Sequence, residues 1–107
     1  MRYSILLLIS LFQFSFAQKS LERLENSPRH HEWVKIISNT NEINSFLVYP
    51  EVSDKVPVVV LIHENRGLND WARSMADQIA EMGYIAIAPD FLSGTAPNGG
   101  GTNDYQN

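Results

Sequence analysis

The amino-acid sequence predicts an α/β fold in which an antiparallel hairpin is followed by a parallel βαβ unit. Two β-rich segments separated by a cluster of asparagines indicate the hairpin. A nearly unbroken β-branched segment, an amphipathic helical pattern and a second apolar segment follow in the order of a βαβ unit. At 107 residues the chain is one small domain or part of a larger one.

Residues 1–17 have the composition of an export signal. A short positive start precedes an apolar run from Ile5 to Phe16, and small residues occupy the positions that signal peptidase requires. Crossing a bilayer takes about 20 apolar residues. The run from Ile5 to Phe16 is shorter, which disfavours the alternative of an uncleaved membrane anchor. We therefore expect cleavage near Ala17, a periplasmic or secreted product without a stable membrane anchor, and a mature domain of residues 18–107.

The mature chain opens with a short charged segment, Gln18 to Pro28, that suits a helical turn or a lead-in arm. Trp33 to Ser38 and Ile43 to Tyr49 are apolar, β-rich runs. Asn39-Thr40-Asn41 joins them, and asparagine favours turns because it tolerates positive φ. These two runs are predicted to pair as the hairpin.

Val58 to Ile62 forms the strongest predicted strand, and its lack of polar alternation predicts burial of both faces. Helical periodicity extends from Asn69 to Met82, with Asn69 as N-cap and Gly83 as the left-handed terminator. The residues assigned to the core-facing side are Trp71, Ala72, Met75, Ala76, Ile79 and Ala80. Asp70, Arg73, Ser74, Asp77, Gln78 and Glu81 are assigned to the polar side.

Tyr84 to Ala88 is a second apolar strand, stopped by Pro89, and completes a right-handed crossover. We interpret Asp90 as a cap or brace for the loop that follows it. Beyond it, the glycine-rich stretch through residues 99–101 lacks apolar periodicity and predicts a flexible loop.

Composition excludes several functions. The net charge of −4 with no basic stripe disfavours nucleic acid and anionic membrane surfaces as partners. The absence of cysteine removes disulfides, thiolate metal sites and a thiol nucleophile from these residues. His30, His31 and Glu32 resemble a metal tripod only superficially, because adjacent side chains of an extended chain point apart. We expect neither a metal nor a cofactor.

The candidate site is His63-Glu64-Asn65-Arg66-Gly67, at the carboxyl end of the first parallel strand, where ligands bind in open α/β sheets. His63 is interpreted as a structural residue that bonds loop backbone. Glu64 is either functional or an ion-pair partner of Arg66, since an acid directly after an apolar strand loses hydration. Arg66 is either a solvated loop residue or a clamp on substrate.

The stretch from Val56 to Ser93, VPVVVLIHENRGLNDWARSMADQIAEMGYIAIAPDFLS, resembles the first βαβ unit of the dienelactone hydrolase family in the α/β-hydrolase superfamily. The E-x-x-G loop, the helix, the G-Y turn and the A-P-D strand end occur in the family's order. The preceding hairpin and the APNGGGT tail are similar to a secreted branch. The resemblance implies a partial α/β-hydrolase sheet and a small-molecule ester or lactone as substrate.

By this resemblance, the backbone N–H of Asn65 would donate to the substrate oxyanion. Glu64 would be the carboxylate that hydrogen-bonds the resting nucleophile. Arg66, beside them in the loop, is the candidate for binding substrate. A G-x-[SC]-x-G elbow requires glycine two residues before and two residues after the nucleophile, and no serine in the sequence has both. In such folds the triad acid and base follow the nucleophile along the chain. We therefore expect a fragment that is truncated before its nucleophile and inactive alone.

Two alternatives from other classes remain at this point. One is a short exported, non-catalytic binding protein that uses the same loop, and the other is a membrane-tethered interaction module. The sequence leaves the substrate and the oligomeric state undetermined, because the later loops that would line a pocket are not among these residues.

Overall fold

The computed structural model describes residues 16–105, so most of the predicted signal segment lies outside the described residues. Residues 16–26 are helical and are named α1 here. The remaining elements are β1 (His31–Ser38), β2 (Asn41–Val48), β3 (Val58–Val60), α2 (Asp70–Glu81), β4 (Ile85–Pro89) and the 3₁₀ turns Pro97–Gly99 and Thr102–Tyr105. No helix within residues 16–105 is long and apolar enough to span a membrane.

The four strands form one sheet in the order β1-β2-β4-β3. β1 and β2 pair antiparallel around a two-residue turn, with Ser38 opposite Asn41, and Asn39 at the turn has a φ of 57°. β2 pairs antiparallel with β4, and β3 pairs parallel with β4. The predicted α/β class, the hairpin and the parallel βαβ pairing are confirmed.

β3 ends earlier than the sequence predicts, and Pro89 explains why. The backbone N–H of Leu61 still donates to the Ile87 carbonyl at 2.8 Å, which extends the parallel ladder by one bond. The next bond of a parallel ladder would run from the N–H of residue 89 to the Leu61 carbonyl, and proline has no N–H. The chain therefore leaves the sheet before Ile62 and enters the candidate loop.

The core lies between the sheet and α2, which packs against β4 and β2. Its buried residues come from the sheet, from α2 and from the turn before α2: Phe46, Val48, Leu68, Ala72, Ala76, Ala80, Ala86 and Ala88. Alanines at i, i+4 and i+8 form the inner stripe of α2, and such small side chains let the helix backbone lie close to the sheet.

The prediction that both faces of β3 are buried is wrong for the described residues. Val58 and Val60 are each 57% exposed and Ile62 is 73% exposed. Val58 and Val60 share one face of the edge strand β3, Ile62 follows just beyond the strand, and no described element covers that face.

α2 is rotated relative to the periodicity prediction. Trp71, assigned to the core, is 49% exposed, whereas Asp77, assigned to the polar side, is fully buried. Ser74 is also buried. Hydropathy places an aspartate outside, but here segments distant in sequence supply the partners that make its burial tolerable.

Asp77 is held by side chains that precede and open β1. Arg29 donates from Nε at 3.0 Å and from Nη2 at 2.8 Å, His31 donates from Nε2 at 2.8 Å, and Arg23 Nε lies 3.2 Å away. Burial alone would raise the pKa of Asp77, but the hydrogen bonds from Arg29, Ser27 and His31 and the charge of Arg29 outweigh it and hold that pKa well below its usual range. The same carboxylate raises the pKa of Arg29, chiefly through the hydrogen bond between them. These contacts fasten the segment before the sheet to α2.

Two glycines frame α2. Asn69 caps the start by accepting from the Ala72 N–H at 3.0 Å, as predicted. Gly83 ends the helix with a φ of +100°, and a Cβ there would meet open space. Gly67, before the cap, has a φ of +77°, and its Cβ would overlap with Thr102 Oγ1 and lie 2.8 Å from Leu92 Cδ1. Gly67 therefore needs both left-handed backbone and the absence of a side chain.

Replacing Asp77 with asparagine should destabilise the fold, because it removes the buried counter-charge of Arg29, whose side chain is only 8% exposed, and leaves only the exposed Glu51 paired with it at 3.3 Å. Breaking a buried pair from one side costs about 3 to 5 kcal/mol. Urea unfolding of the 107-residue chain and its Asp77→Asn variant at pH 7 measures the loss.

The matched control is Glu42→Gln, which breaks the exposed Lys35–Glu42 pair of 3.0 Å and should cost less than about 1 kcal/mol. The depressed pKa of Asp77 means that its contribution is present above the unfolded value of about 4 and is lost as the pH falls below it. The difference in the free energy of unfolding between the parent chain and Asp77→Asn should therefore be smaller at pH 3 than at pH 7. Similar losses for the two variants at pH 7 would contradict the assignment.

Gly67→Ala should destabilise the chain more than Gly83→Ala. Both variants place an alanine at positive φ, which costs about 1 to 3 kcal/mol. Only Gly67→Ala adds a clash with Thr102 and Leu92. Thermal unfolding of the two variants side by side isolates the clash, and equal losses would show that the approach of Thr102 to Gly67 is looser than described.

Candidate functional site

The 63–67 loop, His63 to Gly67, follows β3 at the carboxyl edge of the parallel pair. The 90–105 segment follows β4 at the same edge, because β3 and β4 run side by side in the same direction. Loops at the carboxyl ends of parallel strands surround the crevice in which open α/β sheets bind ligands. The predicted placement of the loop is confirmed.

His63 is a structural residue of this edge. Its ring nitrogen Nε2 accepts from the Phe91 N–H at 2.9 Å, so the ring is neutral with its proton on Nδ1. Nδ1 then donates to the Glu64 carbonyl at 2.6 Å. With both nitrogens bonded to backbone and a side chain that is 6% exposed, His63 has no nitrogen left to accept a proton from a substrate.

Glu64, Asn65 and Arg66 form the exposed tip of the loop. The turn closes through a bond from the Gly67 N–H to the Glu64 carbonyl at 3.0 Å, which places Asn65 at its second position. Among residues 16–105 the backbone N–H of Asn65 has no acceptor, and Glu64 and Arg66 form no ion pair. Of the two interpretations of Glu64, the ion pair with Arg66 does not form among the described residues, and both charges face solvent.

Asp90 braces the following loop, as predicted. It is 6% exposed, and its carboxylate accepts from the Leu92 N–H at 3.0 Å, the Thr102 N–H at 2.9 Å and the Thr102 hydroxyl at 2.7 Å. The glycine-rich stretch permits this approach, since a Cβ on Gly101 would lie 2.6 Å from Asp90 Oδ2. The tail predicted to be flexible is thus fastened to the end of β4.

Thr102 was missed by sequence reasoning. It is 2% exposed, and its hydroxyl oxygen also accepts from the Leu68 N–H at 2.9 Å, across 34 residues of sequence. The available signal was a hydroxyl residue directly after a glycine run that follows a strand-end aspartate. Without knowledge of distant contacts, this short pattern indicates only a loop.

The other candidate cluster does not assemble. His30 bonds Glu32 through Nε2 at 2.9 Å, while His31 bonds Asp77, so the adjacent rings serve different partners. In the described part of the chain no group of three His, Cys, Asp or Glu residues is arranged to hold a metal. A surface groove of mixed charge is lined by residues of α1, by residues 27–29, and by Glu51 and Glu81. No residue of the 63–67 loop lines it.

The sequence profile of the dienelactone hydrolase family matches residues 43–107. An Escherichia coli (strain K12) protein named "Putative hydrolase fragment YghX" is 51% identical over 53 residues, which cover 49% of this chain and 45% of that protein. A Synechocystis sp. (strain ATCC 27184 / PCC 6803 / Kazusa) protein named "Putative carboxymethylenebutenolidase" is 37% identical over 62 residues, or 57% of this chain and 25% of that protein. The chain thus spans less than half the length of either relative.

Solved structures agree in fold. A crystal structure titled as a putative dienelactone hydrolase from Klebsiella pneumoniae superimposes with a TM-score of 0.56 at 25% identity, covering 60% of this chain and 27% of that one. A Pyrobaculum calidifontis esterase superimposes with a TM-score of 0.54 at 19% identity, covering 77% and 29%, and shows likeness of fold alone. With a family profile that matches more than half of its residues, this chain belongs to the dienelactone hydrolase family.

Proposed function

We propose that this chain supplies the oxyanion-side loop of an enzyme that hydrolyses small-molecule esters or lactones. The observation that carries the proposal is the Asn65 N–H, which lies at the carboxyl edge of the parallel strands and has no acceptor among residues 16–105. Membership of the dienelactone hydrolase family supports the reaction class. A relative named as a carboxymethylenebutenolidase supports a lactone among the substrates.

In this reaction a carbonyl oxygen gains negative charge as a nucleophile attacks the carbon. A backbone N–H that is already oriented toward that oxygen stabilises the charge without reorganising, and one such donor is worth about 3 to 4 kcal/mol. Asn65 is the donor in this proposal. Its turn is closed by the Gly67–Glu64 bond, so the N–H is fixed before substrate arrives.

Glu64 and Arg66 flank the donor. A carboxylate at position 64 accepts a hydrogen bond from the resting nucleophile and releases it when substrate binds. The Arg66 guanidinium, exposed and without an ion-pair partner among the described residues, contacts an anionic or polar part of the substrate. Neither role asks for a cofactor.

The nucleophile, its base and its acid come from segments beyond Asn107 in this proposal, and the chain alone is inactive. Its 107 residues contain no cysteine, and none of its serines has glycine both two residues before and two residues after it. The shares of 25% and 27% that the chain covers in two family relatives leave room for them. The proposal further holds that the product is exported after cleavage near Ala17, in keeping with the apolar run before that residue.

The reading frame that continues past the Asn107 codon should encode a G-x-C-x-G or G-x-S-x-G segment followed by Asp and His. The complete product should hydrolyse p-nitrophenyl acetate or a simple lactone, whereas the 107-residue chain should not. Asn65→Pro in the complete product should lower kcat by about 10²- to 10³-fold, because it removes the proposed donor N–H.

Asn65→Ala is the matched control, since it changes the side chain and keeps the N–H. Proline is accepted at the second position of a turn, so the loop should retain its path. Equal activity of the two variants would remove Asn65 from the oxyanion site. An in-frame stop directly after Asn107 in intact DNA would overturn the hydrolase proposal in favour of a short binding protein.

The export proposal is tested at the amino terminus. Expression with the native first 17 residues in a bacterial host should yield a product whose first residue is Gln18, because signal peptidase cuts after a small residue. Mass spectrometry of the periplasmic fraction measures this directly. Recovery of the uncut chain from the membrane fraction would contradict it.

A further inference from the structure

We propose that Thr102 and Asp90 are positioning residues that fix the 63–67 loop for oxyanion binding. This inference rests on the proposed function, because it assigns the purpose of the loop's rigidity to that site. Among the described residues neither side chain has a hydrogen bond to residues 64–66, so neither is assigned as a catalytic residue. Their effect would pass through backbone bonds at the two ends of the loop.

The far end of the loop is fixed by Thr102. Its hydroxyl accepts from the Leu68 N–H at 2.9 Å and donates to Asp90 Oδ1 at 2.7 Å. The second Asp90 oxygen accepts from the Thr102 N–H at 2.9 Å, which sets the position of the threonine itself. A hydroxyl that must both donate and accept has its proton direction set by these two partners.

The near end of the loop is fixed from the same strand end. His63 accepts from the N–H of Phe91, the residue after Asp90, and donates to the Glu64 carbonyl. Groups that follow β4 therefore hold the loop at His63 and at Leu68, and His63 in turn holds the Glu64 carbonyl. Only its tip, which carries the Asn65 N–H, remains without a bond to them.

Burial makes the Thr102 link sensitive to a single atom. Thr102, Leu68 and Asp90 are 2%, 1% and 6% exposed, so water cannot readily replace a missing hydroxyl. Without it, the Leu68 N–H is left buried with no acceptor and Asp90 loses a donor. The loop must then shift to rehydrate these groups, and the Asn65 N–H shifts with it.

The test compares Thr102→Val with Thr102→Ser. Valine keeps the shape and removes the hydroxyl, while serine keeps the hydroxyl and should rescue. The matched control is Thr95→Val, because the Thr95 hydroxyl bonds the Leu92 carbonyl and Tyr105 in the same tail and has no hydrogen bond to the 63–67 loop among the described residues. Amide hydrogen exchange is measured by NMR on the 107-residue chain, with α2 amides reporting global stability.

Thr102→Val should speed exchange of the Leu68 amide by roughly tenfold relative to the α2 amides and should shift the Asn65 amide resonance. Thr102→Ser and Thr95→Val should leave both unchanged. Leu68 exchange that is unaffected by Thr102→Val, or a Leu68 amide unprotected in the parent chain, would overturn the proposal.

A kinetic arm uses the complete hydrolase. Thr102→Val should lower kcat by about tenfold with KM nearly unchanged, because oxyanion contacts act in the transition state, and Thr102→Ser should restore kcat. Loss of protection with kcat unchanged would overturn the positioning role alone. Absence of hydrolysis in every form, with the exchange pattern as expected, would instead count against the proposed function and leave the Thr102 link standing.

Discussion

The parallel pairing of β3 with β4 is the constraint on which the candidate site depends. Because these strands point the same way, the chain leaves both of them at one edge, and residues far apart in sequence meet there. Pro89 determines where that edge lies by ending the ladder one bond after β3. The short β3 and the early start of the loop follow from one missing N–H.

Two buried aspartates organise the rest of the chain in different ways. Asp77 accepts hydrogen bonds from Ser27 and Arg29, which precede the sheet, and from His31 at the start of β1, so an ion pair and hydrogen bonds join these residues to α2. Within residues 16–105, Asp90 accepts hydrogen bonds only from neutral backbone and hydroxyl donors, so it shapes a loop without a cation bonded to it. The first fastens the amino-terminal segment to the fold, and the second fastens the tail to the site.

Sequence reasoning succeeded where a residue acts on near neighbours. The turn at Asn39, the cap at Asn69 and the glycine after α2 each depend on a few adjacent residues, and each was predicted in place. The position of Glu64 and Asn65 after a parallel strand was also predicted, since strand order and chain direction determine it.

Predictions failed where the deciding partner lies far along the chain. Asp77 reads as a surface residue of an amphipathic helix until Arg29, 48 residues earlier, is known to reach it. Thr102 reads as part of a flexible tail until its bond to Leu68 is seen. A hydropathy pattern predicts which face of a helix is apolar, but it carries no information about contacts between residues that lie far apart in the sequence.

The two margins of the sheet differ in chemistry. β1 carries Glu32 and Lys35, and charged side chains on a terminal strand discourage other chains from pairing with it. β3 carries Val58 and Val60 with their backbone groups open on one side. The β1 edge of the sheet is thus protected against pairing, whereas the β3 edge is open to it. Further strands, whether from the same polypeptide or from a neighbouring molecule, can therefore extend the sheet at β3.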